Sequence, residues 1–161
     1  MAFINTKVRS PIKISKTAVE HYLEAKNIAY QSYRFNAVPV EQTIIPIVKT
    51  LVLTGDKSGA TIALIPFDQR LDYKKLAKVS GNRKIGLPPI EKVLEITGYP
   101  HGANTPIGIF SQHPEYPIFF DQTITTYEEI IVSAGELEKA VIIATADLIH
   151  LIQPTLGDLL K

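Results

Sequence analysis

A chain of 161 residues with 45% apolar and 20% charged positions holds enough apolar material for one packed core and is too weakly charged for a disordered tail. The absence of cysteine removes disulfides, thiolate nucleophiles and Cys-ligated zinc together. A formal net charge of +1 excludes a surface that coats nucleic acid broadly, so any RNA contact must come from a local patch.

Met1 to Asn5 shows no charged leader followed by a long apolar stretch, and the longest apolar runs, such as Ala140–Ala144, fall far short of the roughly 20 residues a membrane span needs. The cytoplasm is the expected location. Residues 1–14, with Lys7, Arg9 and Lys13 and just before Lys16, read as an extended lead-in. A first helix is predicted from Thr17 to Lys26, because Thr17 with Glu20 makes a capping-box pattern and Val19, Tyr22, Leu23 and Lys26 share a face. Asn27 is its left-handed stop. A strand over 30–35 follows, then a Pro-punctuated connection from Asn36 to Pro46. Val48–Leu53 and Ala60–Pro66 read as a hairpin around the turn-rich 54–59 segment. A second helix is expected from Asp72 to Ser80, ending at Gly81, and a third from Pro88-Pro89 to Gly98, with Pro at the start and Gly past the end. Beyond it, strands are expected at Ile107–Phe110, Ile118–Phe120, Glu129–Ser133 and Ala140–Ala144, and a last helix over 147–152. This order predicts an α+β fold: a mixed, largely antiparallel, barrel-like sheet flanked by helices, as one domain over 1–161. Four strands in a row near the C-terminus argue against a doubly wound parallel sheet.

Standard catalytic signatures are absent: no G-x-S-x-G elbow, Walker-type loop, G-x-G-x-x-G or H-E-x-x-H. His21, His101, His113 and His150 lack metal-ligand spacing, so no metal or other cofactor is expected; His150 belongs to the last helix and His113 to a solvated loop. Two patterns stand out. Lys49 lies inside an otherwise apolar strand, where an ammonium needs a partner or an exit to water. Either its stem snorkels to the surface or it clamps an anion in a cleft. The segment 97–108 is dense in Gly and Pro between a predicted helix and a predicted strand. It is either a plain structural turn or a rigid loop whose main-chain groups bind a small polar substrate. Arg70, Lys74, Lys75, Lys78, Arg83 and Lys84 surround the second helix, as a solvated face or a hold on an RNA backbone.

Together these segments resemble the YbaK and prolyl-tRNA-synthetase-associated editing domains. The resemblance is carried by Lys49-Thr50-Leu51-Val52, Ile65-Pro66 leading into Arg70-Leu71-Asp72 and Lys74-Lys75-Leu76-Ala77, then Thr97-Gly98-Tyr99. It continues in a G-x-x-x-P loop from Gly102 to Pro106 followed by Gly108, in Asp121, in Ile131-Val132-Ser133-Ala134-Gly135 and in Asp147-Leu148. It implies a trans-editing deacylase that hydrolyses the ester between an amino acid and the terminal ribose of tRNA, with no cofactor. In similar proteins the lysine matching Lys49 holds a phosphate of the acceptor end. The loop matching Gly102, Ala103, Asn104, Thr105 and Pro106 cradles the aminoacyl group through its backbone, and residues matching Ser133 and Phe35 lie at the same pocket. Lys49, Gly102 and Ser133 are the implied catalytic set. The implied partners are the acceptor end of aminoacyl-tRNA and an aminoacyl-tRNA synthetase, with neither membrane nor DNA. Two departures stand out: the 36–46 segment is short, and Ala134-Gly135-Glu136-Leu137-Glu138-Lys139 replaces the Gly-Gly-Lys-Arg-Gly common after the serine. They leave open a degenerate member acting as a tRNA- or synthetase-binding module. A small-molecule esterase would give a phosphate-holding lysine no task.

Overall fold

The computed structural model describes residues 15–35 and 44–161. The lead-in over 1–14 and most of the 36–46 connection lie outside the described residues.

Local chemistry sets most of the boundaries. Helix α1 (Ala18–Ala25) opens on a complete capping box: the Thr17 hydroxyl accepts from Glu20 N, and Thr17 N donates to the Glu20 carboxylate at 2.9 Å. Asn27, at φ 58°, ends the turn that follows. Strand β1 (Gln31–Arg34) comes next, then the hairpin of β2 (Val48–Gly55) and β3 (Gly59–Pro66), in register from Val48 opposite Pro66 to Gly55 opposite Gly59. Helix α2 (Tyr73–Ser80) is capped by Asp72, whose carboxylate accepts from Lys75 N at 3.1 Å, and is stopped by Gly81 in the left-handed region. A two-residue strand β4 (Ile85–Gly86) leads to α3 (Ile90–Thr97), bounded by Pro89 and the left-handed Gly98.

The next element differs from the expectation. Residues 107–110 are not a strand; they lie within helix α4 (Pro106–Gln112). Thr105 is its N-cap, accepting from Gly108 N at 3.4 Å, and Pro106 occupies the first turn, where its missing N–H costs nothing. The run Ile107-Gly108-Ile109, with its two β-branched side chains, imitates a strand, but the cap decides. The 97–108 segment therefore connects two helices. Strand β5 (Ile118–Asp121), a 3₁₀ turn (Gln122–Thr126), β6 (Glu129–Glu136), β7 (Lys139–Ala144), α5 (Thr145–Ile152) and β8 (Thr155–Gly157) complete the chain. His113 is not fully solvated: it closes α4, half-buried, and stacks on Tyr116 at 4.6 Å between ring centroids.

The strands form two sheets, one of order β1-β7-β6 and wholly antiparallel, the other β4-β2-β3-β5-β8 with parallel pairs at its β3-β5-β8 end. A parallel bridge between Ile47 and Ile131, with Ile131 N donating to the Pro46 carbonyl at 2.9 Å, joins them at one corner. The result is barrel-like without being closed. Strand β3 is buried on both faces: Ile62 and Leu64 enter the large core shared with the other sheet and helices α1, α4 and α5, while Ala63 and Ile65 pack under α2 with Leu71, Leu76, Phe119 and Leu159. This accounts for its unbroken apolar run.

Candidate functional site

A cavity of about 490 Å³ lies where β2 and β6 meet the loop between α3 and α4. β2 supplies Val48, Lys49 and Val52; β6 supplies Ile131, Val132 and Ser133; the loop supplies His101, Gly102 and Asn104; Phe35, from the end of β1, completes the wall. Phe67, Leu87, Pro88 and Ile90 add an apolar rim. Of the residues singled out from sequence, Phe35, Lys49, Gly102, Asn104 and Ser133 all line this hollow. Ala103, Thr105 and Pro106 are buried behind it and shape the loop instead.

Lys49 is not sunk in apolar packing, and among the described residues it is not ion-paired. Its residue is half-buried, its Nζ lies 6.0 Å from the Phe67 ring centroid, and no carboxylate among the described residues is within 4.0 Å. The other cation lining the cavity, Lys139, is held by Glu136 at 2.7 Å. Lys49 is thus the lining ammonium whose charge is unmatched among the described residues.

The loop is fixed from several sides. Gly102 sits at φ 92°, a conformation that L side chains rarely adopt. Ala103 N donates back to the Pro100 carbonyl at 3.0 Å. The Ser133 hydroxyl donates to the Ala103 carbonyl at 3.2 Å and accepts from Gly135 N at 3.2 Å. Ser133 comes just before a register shift in the β6–β7 ladder, where Gly135 adopts φ 91°. A bulge of this kind re-aims side chains at a strand's end. Buried Asn104 accepts from the Thr97 hydroxyl at 2.6 Å and turns its amide toward the Pro100 carbonyl at 3.5 Å. Among the described residues, the N–H groups of Gly102 and Asn104 have no hydrogen-bond partner.

Sequence reasoning missed Tyr99 as the wedge of this assembly. A Cβ on Gly108 would stand 2.0 Å from the Tyr99 hydroxyl oxygen, and one on Gly135 would stand 2.9 Å from its ring, so both glycines are the space the tyrosine fills. Burial pushes the Tyr99 phenol pKa above its ordinary value. The spacing of Tyr99, Gly108 and Gly135 carries no local signal, because the three meet only in the folded chain.

The family model for the aminoacyl-tRNA editing domain matches residues 26–151, which includes the whole of this site. The chain belongs to the aminoacyl-tRNA editing domain family. This editing domain is 36% identical over 132 residues to EbsC of Enterococcus faecalis, a candidate Cys-tRNA(Pro)/Cys-tRNA(Cys) deacylase, covering 75% of this chain and 79% of that one. It is 35% identical over 96 residues to the multifunctional Ser/Thr-tRNA deacylase ProXp-y of Escherichia coli K12, there covering 59% of this chain and 56% of the relative. Among solved structures, a candidate trans-editing enzyme for prolyl-tRNA synthetase superposes with a TM-score of 0.74 at 24% identity, covering 89% of this chain and 94% of the other. At that identity the likeness speaks for the fold alone. No helix among the described residues is long and apolar enough to cross a membrane.

Proposed function

We propose that the protein is a cytoplasmic trans-editing hydrolase that removes wrongly attached amino acids from the acceptor end of tRNA. The observation that carries this is the lining of one hollow by Lys49 together with Gly102 and Asn104 of the α3–α4 loop, in a chain similar to proteins named as tRNA deacylases.

Lys49 holds the phosphate of the terminal nucleotide as a compact cation. The ester carbonyl then lies against the loop, where the N–H groups of Gly102 and Asn104 stabilise the charge that develops on its oxygen. Water adds to the carbonyl carbon and the bond to the ribose oxygen breaks. The ribose oxygen takes one of the water's protons to become a hydroxyl, the other passes to solvent, and the amino acid departs as a carboxylate. An aminoacyl ester is already activated, so positioning supplies much of the rate. Ser133 does not need to attack: its hydroxyl proton is engaged by the Ala103 carbonyl, and it serves by pinning the loop.

The test is a panel of mischarged tRNAs. Wild type releases amino acid from at least one. Lys49→Ala lowers kcat/KM about a hundredfold, the scale of losing one preorganised charge contact, while melting as wild type does. Loss of activity only in step with loss of fold would sink the assignment. Gly102→Ala is less clean, because at φ 92° the methyl strains the backbone as well as standing 3.4 Å from Leu137 Cδ2.

One observation favours a second function. Glu136 neutralises Lys139 and Glu138 adds a further carboxylate at the cavity wall, which weakens the pull on RNA. A binding module for tRNA or a synthetase would bind charged tRNA, or an aminoacyl-tRNA synthetase, yet turn over no member of the panel.

A further inference from the structure

Phe67 is the conspicuous feature of the cavity mouth that the chemistry above leaves unused. It follows Pro66 at the end of a strand whose last six residues are buried, yet it is itself 51% exposed. A phenyl ring gains about 2 kcal/mol by leaving water, so one held at a site's edge is available to a partner. Its backbone is not loose: Phe67 N donates to the Ile47 carbonyl at 2.8 Å, which pins the residue to the start of β2, two positions before Lys49. The Lys49 Nζ stands 6.0 Å from the ring centroid, and both residues line the same hollow.

We propose that Phe67 is a stacking platform for the unpaired terminal base of the RNA whose phosphate Lys49 holds. This rests on the tRNA substrate proposed above and specifies how its last nucleotide is gripped. A nucleotide presents an aromatic face and an anion one ribose apart; the Phe67–Lys49 pair presents the matching face and cation. Single-stranded ends are recognised largely by stacking on aromatic side chains, which requires no basic surface elsewhere. The amino-acid side chain is an unsuitable occupant for this ring, because the buried Val52, Val93 and Ile131 already offer it an apolar lining deeper in the hollow.

The test uses an uncharged acceptor-stem minihelix carrying 2-aminopurine at its 3′ terminus, titrated with the full-length protein at low salt. Binding with quenching of the terminal base is expected in wild type. Phe67→Ala weakens it about tenfold, within the range for removing one stacked aromatic, and Phe67→Leu does the same while preserving bulk and fold. Phe67→Tyr restores affinity to within about twofold of wild type. A minihelix with an abasic terminus binds wild type as weakly as Phe67→Ala binds the normal one, and does not distinguish the variants. The proposal is overturned if wild type leaves the terminal base unquenched, if Phe67→Leu binds like wild type, or if the variants lose affinity equally for the abasic RNA. Unchanged RNA binding in Phe67→Ala with lost co-migration with a synthetase also overturns it, and moves the ring to a protein interface. Since the RNA is uncharged, the result is separable from hydrolysis. Phe67-dependent binding without turnover of any charged tRNA leaves the platform standing and removes the deacylase; turnover with Phe67-independent binding does the reverse.

Discussion

Glycine at position 108 is an instance in which two effects of known size oppose each other. Inside α4, replacing glycine by alanine gains up to about 1 kcal/mol from helix propensity. Here the new methyl would overlap the Tyr99 hydroxyl oxygen at 2.0 Å and Thr105 Cγ2 at 2.7 Å, both part of the packing behind the loop. Overpacking of that kind costs about 1–3 kcal/mol, so the clash should win. Gly108→Ala is expected to lower stability by about 1–2 kcal/mol in urea unfolding, and in a Tyr99→Leu background the penalty should shrink, since the flexible chain yields where the ring cannot. An equal penalty in both backgrounds would mean the tyrosine is not the obstacle.

Among the elements, α1 and β1 are joined by a buried carboxylate. Glu20 is fully buried, accepting from Thr17 N, the Ser32 hydroxyl and Arg34, which it pairs at 3.2 Å. Burial alone would raise its pKa, but the hydrogen bonds from Ser32 and Thr17 and the Arg34 charge outweigh burial and hold it below its ordinary value. A depressed folded-state value means stability that is complete above the unfolded pKa and is lost as pH falls through the folded one. Melting temperature should therefore decline as pH drops from about 5 toward 3, and Glu20→Gln, destabilised by about 2 kcal/mol at pH 7, should show a shallower decline over that window. Parallel curves would show that other carboxylates govern the acid limb. The termini of α1, α2 and α3 were legible in sequence because Thr17, Asp72, Gly81 and Gly98 act through their own neighbours along the chain. At α4 the Thr105-Pro106 signal was present but outweighed by the strand-like apolar run after it. β4 and β8, of two and three residues, have no period to detect.

For the whole molecule, the apolar run of β3 announced a strand but not that it would be covered on both sides. Its two faces belong to different clusters, Leu64 to the large core and Ile65 to the smaller one beneath α2. Leu64→Ala should cost about 3–5 kcal/mol, at the upper end for such truncations, because the larger core is hemmed in by two sheets and has little room to collapse. Ile65→Ala, beneath a single helix, should cost about 2–3 kcal/mol; denaturant midpoints at constant slope would check the ranking. Lys49 and the G-x-x-x-P loop could be nominated from sequence. Their proximity was implied by the family resemblance alone, since residue spacing does not reveal that β2, β6 and the α3–α4 connection arrive at one place from segments about 50 and 80 residues apart along the chain.

The Ile47–Ile131 bridge, the one strand pairing between the two sheets among the described residues, gives that meeting place a mechanical character. Each sheet keeps its ladders to itself, and the hollow lies astride the joint, walled by Lys49 on one side and Ser133 on the other. Away from that corner the two sheets are held together by the side chains of the shared core, so the width of the gap is set by packing more than by strand pairing. The size of guest the hollow admits is thereby tied to how the core beneath the joint is filled, as at Val48 and Val132, rather than to the girth of its rim.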